Sequence, residues 1–459
     1  MLLKDPKAST TLVLIFSSVA IFLASLLLLM NFDLFSKNVF TVIRRYGDYD
    51  TPYYSLAVAL LLFMGLTSII ALFRNKPLTY IWIIKAFVTL IVMIPYEMYY
   101  GLDAYMYYAE AVHFTGEHTH GKAGTFNTIF VNYIFTFIGG ESYFSLKLLN
   151  SFVAYLGLVL IYKSYELIMR RSGLSLENDY FIYVFFLFPS VLFWSSILGK
   201  DPLNLLFIGI FMYGFIRFIN KRRMLWLLWT VVAIIGVRYI RSWYAIIMII
   251  SIAMFYIRPK SIKRNITLIP LVPVLYISFS YFLQNQGISS FNELFYKMSY
   301  TSYTLAFGGS SLEYTHINNI WDYLFYYIPN LFTTLFRPMP WDIRNPFSLL
   351  AAVENVFLLY FTYKYIFKNW REVLKNKYLR FLILFIFSWS LFYVIISPTN
   401  LGMAVRFKLQ ILPAMLIVIW VSRHIYLQKQ KQKKGLEEEE RKQLSIGQRS
   451  KKDSGIEKE

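Results

Sequence analysis

The chain has no cysteine and little charge: 16% of its 459 residues are Asp, Glu, Lys or Arg, against 57% hydrophobic and 19% aromatic. The missing thiols exclude disulfides, thiolate metal sites and cysteine nucleophiles. The low charge excludes a disordered, collagenous or ordinary soluble chain. Also missing are a Walker-type glycine-rich loop, a dinucleotide fingerprint and a soluble nucleotide-binding domain, which argues against an ATP-driven pump, and no 20 to 50 residue repeat is found. His113, His118 and His120 with Glu110 and Glu117 do not match a zinc spacing, so no cofactor or metal is expected and a divalent cation has no support in the residues.

What is present is a series of apolar runs from residue 10 to residue 425. They read as an all-α polytopic membrane bundle of about 12 transmembrane helices, near 10 to 31, 53 to 73, 79 to 96, 144 to 162, 180 to 195, 203 to 217, 225 to 240, 242 to 257, 266 to 283, 347 to 363, 380 to 396 and 409 to 424. Several are short, so 180 to 217 or 225 to 257 could instead be re-entrant pairs. The run Thr10 to Met30 lacks a small-residue cleavage site and reads as a retained span. The expected organisation is one membrane domain, 1–425, followed by a charged tail, 426–459, that is partly helical or disordered.

The formal charge of +20 takes its meaning from sidedness rather than from nucleic acid. Termini and alternate short loops hold 32 of the 46 Lys and Arg, which places those loops and both termini in the cytoplasm. The opposite side carries two long loops, 97–145 and 284–347. Their apolar stretches, Phe126 to Phe137 and Trp321 to Phe336, read as interfacial helices, and loops of this length are usually functional.

Candidate chemistry collects on that outer side. If the segment after the third span is helical, Asp103, Tyr107 and Glu110 share one face, with about 10 Å of rise between the carboxylates. Such a stripe suits general-base chemistry beside aromatic surface; the alternative is a capped interfacial helix with exposed acids. In Gly199-Lys200-Asp201-Pro202, Asp201 resembles an N-cap and Pro202 a first helical residue, so the helix start and the Lys200 ammonium suit a phosphate. Arg238 and Arg241 read as neighbours on one helical face at the outer end of a span, and Arg406 recurs in the last outer loop. Guanidinium forks of this kind suit diphosphates or pair with carboxylates. The proline-stiffened stretch Phe336 to Pro346 holds Arg337, Trp341, Asp342 and Arg344, leading to an intramembrane acid, Glu354. Its arginines either bind substrate or satisfy Asp342 and Glu354.

Three segments, Asp103-Ala-Tyr-Met-Tyr-Tyr-Ala, Phe188 to Asp201, and Arg337-Pro-Met-Pro-Trp-Asp342, resemble bacterial integral-membrane glycosyltransferases of the GT-C type, diffusely over about residues 80 to 425. The layout also resembles O-antigen polymerases and ligases. The resemblance implies an outward-facing enzyme of the bacterial cytoplasmic membrane. It would move a sugar or glycan from a polyprenyl-phosphate or diphosphate carrier to an acceptor hydroxyl, in cell-surface glycan assembly. Asp103 would act as base, with Lys200, Arg238, Arg241 and Arg406 around the leaving phosphate and Arg337, Trp341 and Asp342 on the acceptor side. Expected partners are the lipid-linked donor, a glycan or lipid acceptor and membrane lipids. A transporter of lipid-linked glycans is the opposing class, and a non-catalytic assembly subunit a third.

Overall fold

An apolar segment surrounded by hydrocarbon must satisfy its own peptide groups, which a helix does without a partner strand. The computed structural model describes residues 52–93, 96–97, 103–116, 123–177, 179–257, 280, 283–284, 287–288, 290–306, 311–312 and 316–453. Among these every named element is helical, with one isolated bridge between Ser311 and Asn400.

In chain order the helices are α1 (Pro52–Leu72), α2 (Lys76–Phe87, continued by a π-helical turn Val88–Val92), α3 (Ala104–Val112), α4 (Ala123–Gly139), α5 (Tyr143–Arg171), α6 (Phe181–Phe186), α7 (Pro189–Trp194), α8 (Lys200–Lys221), α9 (Met224–Ile240) and α10 (Ser242–Tyr256). There follow α11 (Phe291–Leu305), α12 (Ile320–Phe336), α13 (Pro346–Phe361), α14 (Trp370–Lys375), α15 (Lys377–Ile396), α16 (Leu401–Lys408) and α17 (Leu412–Asp453).

Four stretches are long and apolar enough to cross a membrane by length and composition: Tyr143–Arg171, Lys200–Lys221, Pro346–Lys375 and Lys377–Ile396. The pair Leu401–Lys408 and Leu412–Glu437, bent by 65°, makes a fifth if counted as one span. Among the described residues four or five helices are of membrane length, and Ala57–Leu72, Met224–Ile240 and Ser242–Tyr256 are apolar but shorter. The expected span at 10 to 31, and most of that at 266 to 283, lie outside the described residues. The span expected at 180 to 195 is not one helix. It divides into the six-residue α6 and α7, because Pro189 cannot donate to the preceding turn and forces Phe188 to extended geometry (φ −60°, ψ 121°).

The centre of the bundle is α8 against α5. A Cβ at Gly209 would lie 2.8 Å from Gly157 Cα, and one at Gly157 would lie 2.3 Å from the Leu205 carbonyl oxygen. The two backbones therefore touch, as small residues allow when helices pack without a hydrophobic drive between them. The other side of α8 meets α10 and α15 through aromatic side chains, with the Phe215 and Phe381 rings 4.5 Å apart.

The stretches expected to be interfacial are helical. On α12, Ile320, Trp321, Leu324, Phe325, Ile328 and Phe332 form an exposed apolar stripe. The opposite face is tied to α15 by the Tyr323 hydroxyl, which donates to Leu391 O at 2.8 Å, and by the Tyr327 and Ser390 hydroxyls, 2.6 Å apart. An apolar face turned away from the protein suits a helix lying against lipid. The tail expected to be partly helical or disordered continues α17 as one 42-residue helix to Asp453.

Candidate active site

The site is organised around Asp201. Its sequence context predicts an N-cap aspartate, but the cap is two residues earlier: Gly199 caps α8, and Asp201 is the second helical residue. Gly199 has φ 150° and ψ −153°, a conformation open almost only to glycine, and a Cβ there would meet the Tyr107 ring at 3.2 Å. The early helix start turns the Asp201 side chain inward, where it is 1% exposed.

Two arginines from distant parts of the chain close on that carboxylate. Arg241 Nη2 donates to one oxygen at 2.7 Å and Arg406 Nε to the other at 2.6 Å. The two guanidiniums are only 13% and 12% exposed. Arg406 also stands over the Trp194 ring at 5.8 Å, and Arg241 over Phe407 at 5.4 Å. Charge-assisted bonds on both oxygens with aromatic faces behind give each fork a defined orientation.

The expectation that Arg238 and Arg241 lie on one helical face does not hold. Helix α9 ends at Ile240, and Arg241 is extended (φ −142°, ψ 94°) at the joint with α10. Periodicity therefore stops between the two arginines: Arg238 stays on the exposed surface of α9 while Arg241 turns in to Asp201. The first turn of α4 braces the joint, with Asn127 Nδ2 donating to Tyr239 O at 2.8 Å. One residue pair earlier on α4, Thr125 Oγ1 accepts from Lys200 Nζ at 2.8 Å. Lys200 thus sits at the helix start as expected, but tied to α4.

Helix α3 meets the start of α8 through the Tyr107 ring, which lies against Gly199. Asp103, Tyr107 and Glu110 do fall on a helix, with Asp103 at its N-cap exposed, Tyr107 buried and Glu110 half-buried. Burial raises the pKa of the Tyr107 hydroxyl, and the charge of Asp103 raises it further, while Arg406 and Arg241 oppose. Tyr107 is therefore a neutral hydroxyl at ordinary pH and a donor rather than a base. Asp103 and Tyr107 both act on the Arg406 charge, so one exposed and one buried carboxylate, a phenol and two guanidiniums occupy a single electrostatic neighbourhood. Arg241, Arg406 and Asp201 together carry a net single positive charge.

Sequence reading missed the floor of this neighbourhood. Tyr393 lies within electrostatic reach of Arg241, Gln410 and Asp201, and its ring stacks on Trp389 at 4.5 Å. Gln410, at the bend between α16 and α17, accepts from Trp389 Nε1 at 3.0 Å through its side chain and from the Tyr244 hydroxyl at 2.9 Å through its carbonyl. The only local signal was a glutamine and a tyrosine inside apolar runs.

The second expected cluster is tied to α16 through Lys408 Nζ, which donates to Leu335 O at 3.1 Å and to Asn355 Oδ1 at 2.5 Å. Arg337 grips Asp342 with two bonds, Nε to Oδ2 at 2.9 Å and Nη2 to Oδ1 at 2.5 Å, and Met339 N adds a third at 2.8 Å. Those bonds hold the Asp342 carboxyl below the usual carboxylate range, the Arg337 bond being the largest cause, and Asp342 in turn raises Arg337. Trp341 at the loop tip is 70% exposed. Glu354 accepts from the Ser190 amide at 2.6 Å and from the Ser190 hydroxyl, capping α7. Arg337 thus satisfies Asp342 within the loop, whereas Glu354 is met by Ser190 of α7 and not by a loop arginine.

Among the described residues no group of three or more His, Asp or Glu is placed to hold a metal; Glu117, His118 and His120 lie outside them. Comparison of the chain with protein-family models, with curated proteins and with solved structures yields no match.

Proposed function

We propose that the protein is a multi-pass glycosyltransferase of a bacterial cytoplasmic membrane, with both termini cytoplasmic. It transfers a sugar or glycan from a polyprenyl-phosphate or diphosphate carrier to an acceptor hydroxyl at the outer face. The observation that carries this reading is the convergence of Arg241 and Arg406 on the buried Asp201, at a helix start that the Tyr107 ring packs against. Each guanidinium has five N–H donors and Asp201 takes one from each. Oriented N–H groups and a net positive charge in largely buried surroundings favour an anion that gains charge as it leaves.

In this scheme the acceptor oxygen forms a bond to the anomeric carbon and the bond from that carbon to the phosphate oxygen breaks. The electron pair stays on the phosphate, which Arg241 and Arg406 stabilise, and the acceptor proton passes to the Asp103 carboxylate. Tyr107, as a neutral donor, orients one of the two substrates. Lys200, set against Thr125, adds positive charge at the same helix start. Arg337, Trp341 and Asp342 form a stiff loop on the acceptor side, with Trp341 offering an exposed ring.

The test uses protein purified into lipid vesicles with a polyprenyl-linked glycan pool from its host, comparing wild type, Asp103→Asn and Arg406→Ala by mass spectrometry. Transfer by wild type and its loss in the folded variants support the reading. Movement of glycan between leaflets with every glycosidic bond intact would replace the transferase with a transporter.

A further inference from the structure

Lys85, on α2, takes no part in the scheme above, yet it is buried to 1% exposure. Among the described residues its side chain forms hydrogen bonds to neutral groups and no ion pair. An ammonium removed from water without a counter-charge weighs heavily against folding, and an apolar residue would avoid that cost. Its hydrogen bonds indicate what it does instead. A lysine has three donors, and Lys85 Nζ directs all three to one short segment: Ser195 O at 2.9 Å, Ser195 Oγ at 2.5 Å and Ser196 Oγ at 3.1 Å.

That segment links both supports of Arg406. One residue before Ser195 is Trp194, whose ring lies beneath the Arg406 guanidinium, and after buried Ile197 and Leu198 come Gly199 and then Asp201, whose carboxylate binds Arg406 and Arg241. The end of α7 offers little rigidity of its own, being six residues long. The serine hydroxyls also donate back to Leu192 O, at 3.3 Å from Ser195 and 2.7 Å from Ser196, so the lysine, both serines and the last turn of α7 form one network. Thr89, a turn beyond Lys85, bonds Lys85 O at 2.7 Å and meets Ser151 of α5 at 2.8 Å, which holds the lysine's own helix in place.

We infer that Lys85 is a positioning residue for the anion site: by clamping Ser195 and Ser196 it sets both the Trp194 ring and the Gly199 turn, and so the direction of the Arg406 and Arg241 forks. The consequence for ligand binding rests on the proposed function; the positioning itself rests on the geometry alone.

The absence of native cysteine makes a direct test available. A single reporter, Leu198→Cys, is placed in the clamped segment, and a second, Leu382→Cys, in α15; both positions are buried. Thiol labelling rates are measured in vesicles with Lys85, with Lys85→Met and with the milder Ser195→Ala. Lys85→Met is expected to raise labelling at position 198 about tenfold or more, the scale of losing bonds from a charged donor, and to leave position 382 unchanged. An unchanged rate at 198 overturns the inference. If Lys85→Met opens both positions, Ser195→Ala decides: a selective rise at 198 supports the clamp, and no rise refutes it.

A second arm titrates polyprenyl phosphate into the same vesicles while following tryptophan fluorescence, with a roughly tenfold weaker affinity expected for Lys85→Met at the same energetic scale. Unchanged affinity despite selective opening at 198 overturns the link to the anion site. Failure of the wild type to bind polyprenyl phosphate, with labelling as expected, overturns the ligand reading and still supports the clamp.

Discussion

Asp201 is the position whose replacement should cost the fold most within the site. In Asp201→Asn the side chain keeps its shape and one acceptor oxygen, but two guanidiniums that are 12% and 13% exposed lose their counter-charge together. Breaking a buried ion pair from one side leaves an uncompensated charge and costs about 3–5 kcal/mol. Arg241→Met and Arg406→Met are different, since each leaves the other arginine paired with Asp201. The loss there is one charge-assisted bond, about 1.5–3 kcal/mol. The order of destabilisation should therefore be Asp201→Asn above either arginine variant. The triple variant Arg241→Met, Asp201→Leu, Arg406→Met should recover much of the loss, because apolar replacement of a whole buried triad is often neutral or stabilising. The assay is reversible unfolding in mixed micelles followed by tryptophan fluorescence, with binding of polyprenyl phosphate measured alongside. Stability should return in the triple variant while binding does not. If Asp201→Asn is no more damaging than Arg241→Met, the carboxylate is not what holds the two forks, and the electrostatic account of the site fails.

Other consequences follow from single contacts. Gly199→Ala puts a methyl 3.2 Å from the Tyr107 ring at φ 150°, which should cost about 1–3 kcal/mol and, through Tyr107, reduce turnover in the transfer assay. Gly157→Val should leave little folded protein on size-exclusion chromatography, because even a Cβ would lie 2.3 Å from the Leu205 carbonyl oxygen and α5 would have to leave α8. The Arg337–Asp342 clamp should depend on acid: since the folded Asp342 pKa is depressed, its contribution is complete above the unfolded carboxylate pKa, about 3.9, and is lost as pH falls through the lower folded value. Hydrogen exchange of residues 337–345 should therefore rise only at strongly acidic pH, and Asp342→Asn should remove that dependence; protection that fades near neutrality would contradict it.

Some of this architecture was legible because it is set by local physics. Apolar runs must be helical in hydrocarbon, so α5, α8, α13 and α15 lie close to where composition places them. The spacing of Asp103, Tyr107 and Glu110 belongs to one short helix, and α3 forms there with Asp103 at its cap. Arg238 and Arg241 misled for a related reason: a three-residue spacing implies a shared face only if the helix continues, and its end at Ile240 has no proline or glycine to announce it. The apparent aspartate cap misled because two signals competed, and the glycine two residues earlier took the cap, placing Asp201 one step inside the helix.

By itself the sequence determined the helical class of the protein, since apolar runs of this length satisfy their own peptide groups as helices. It also determined which residues were costly enough to need partners. The identity of the partners was decided only in three dimensions. Asp201 meets Arg406 across 205 positions, and Lys85 meets Ser195 across 110. No periodicity reaches over such distances: hydrophobic burial specifies which face of a helix turns inward, whereas the groups that meet there depend on how several helices cross at once.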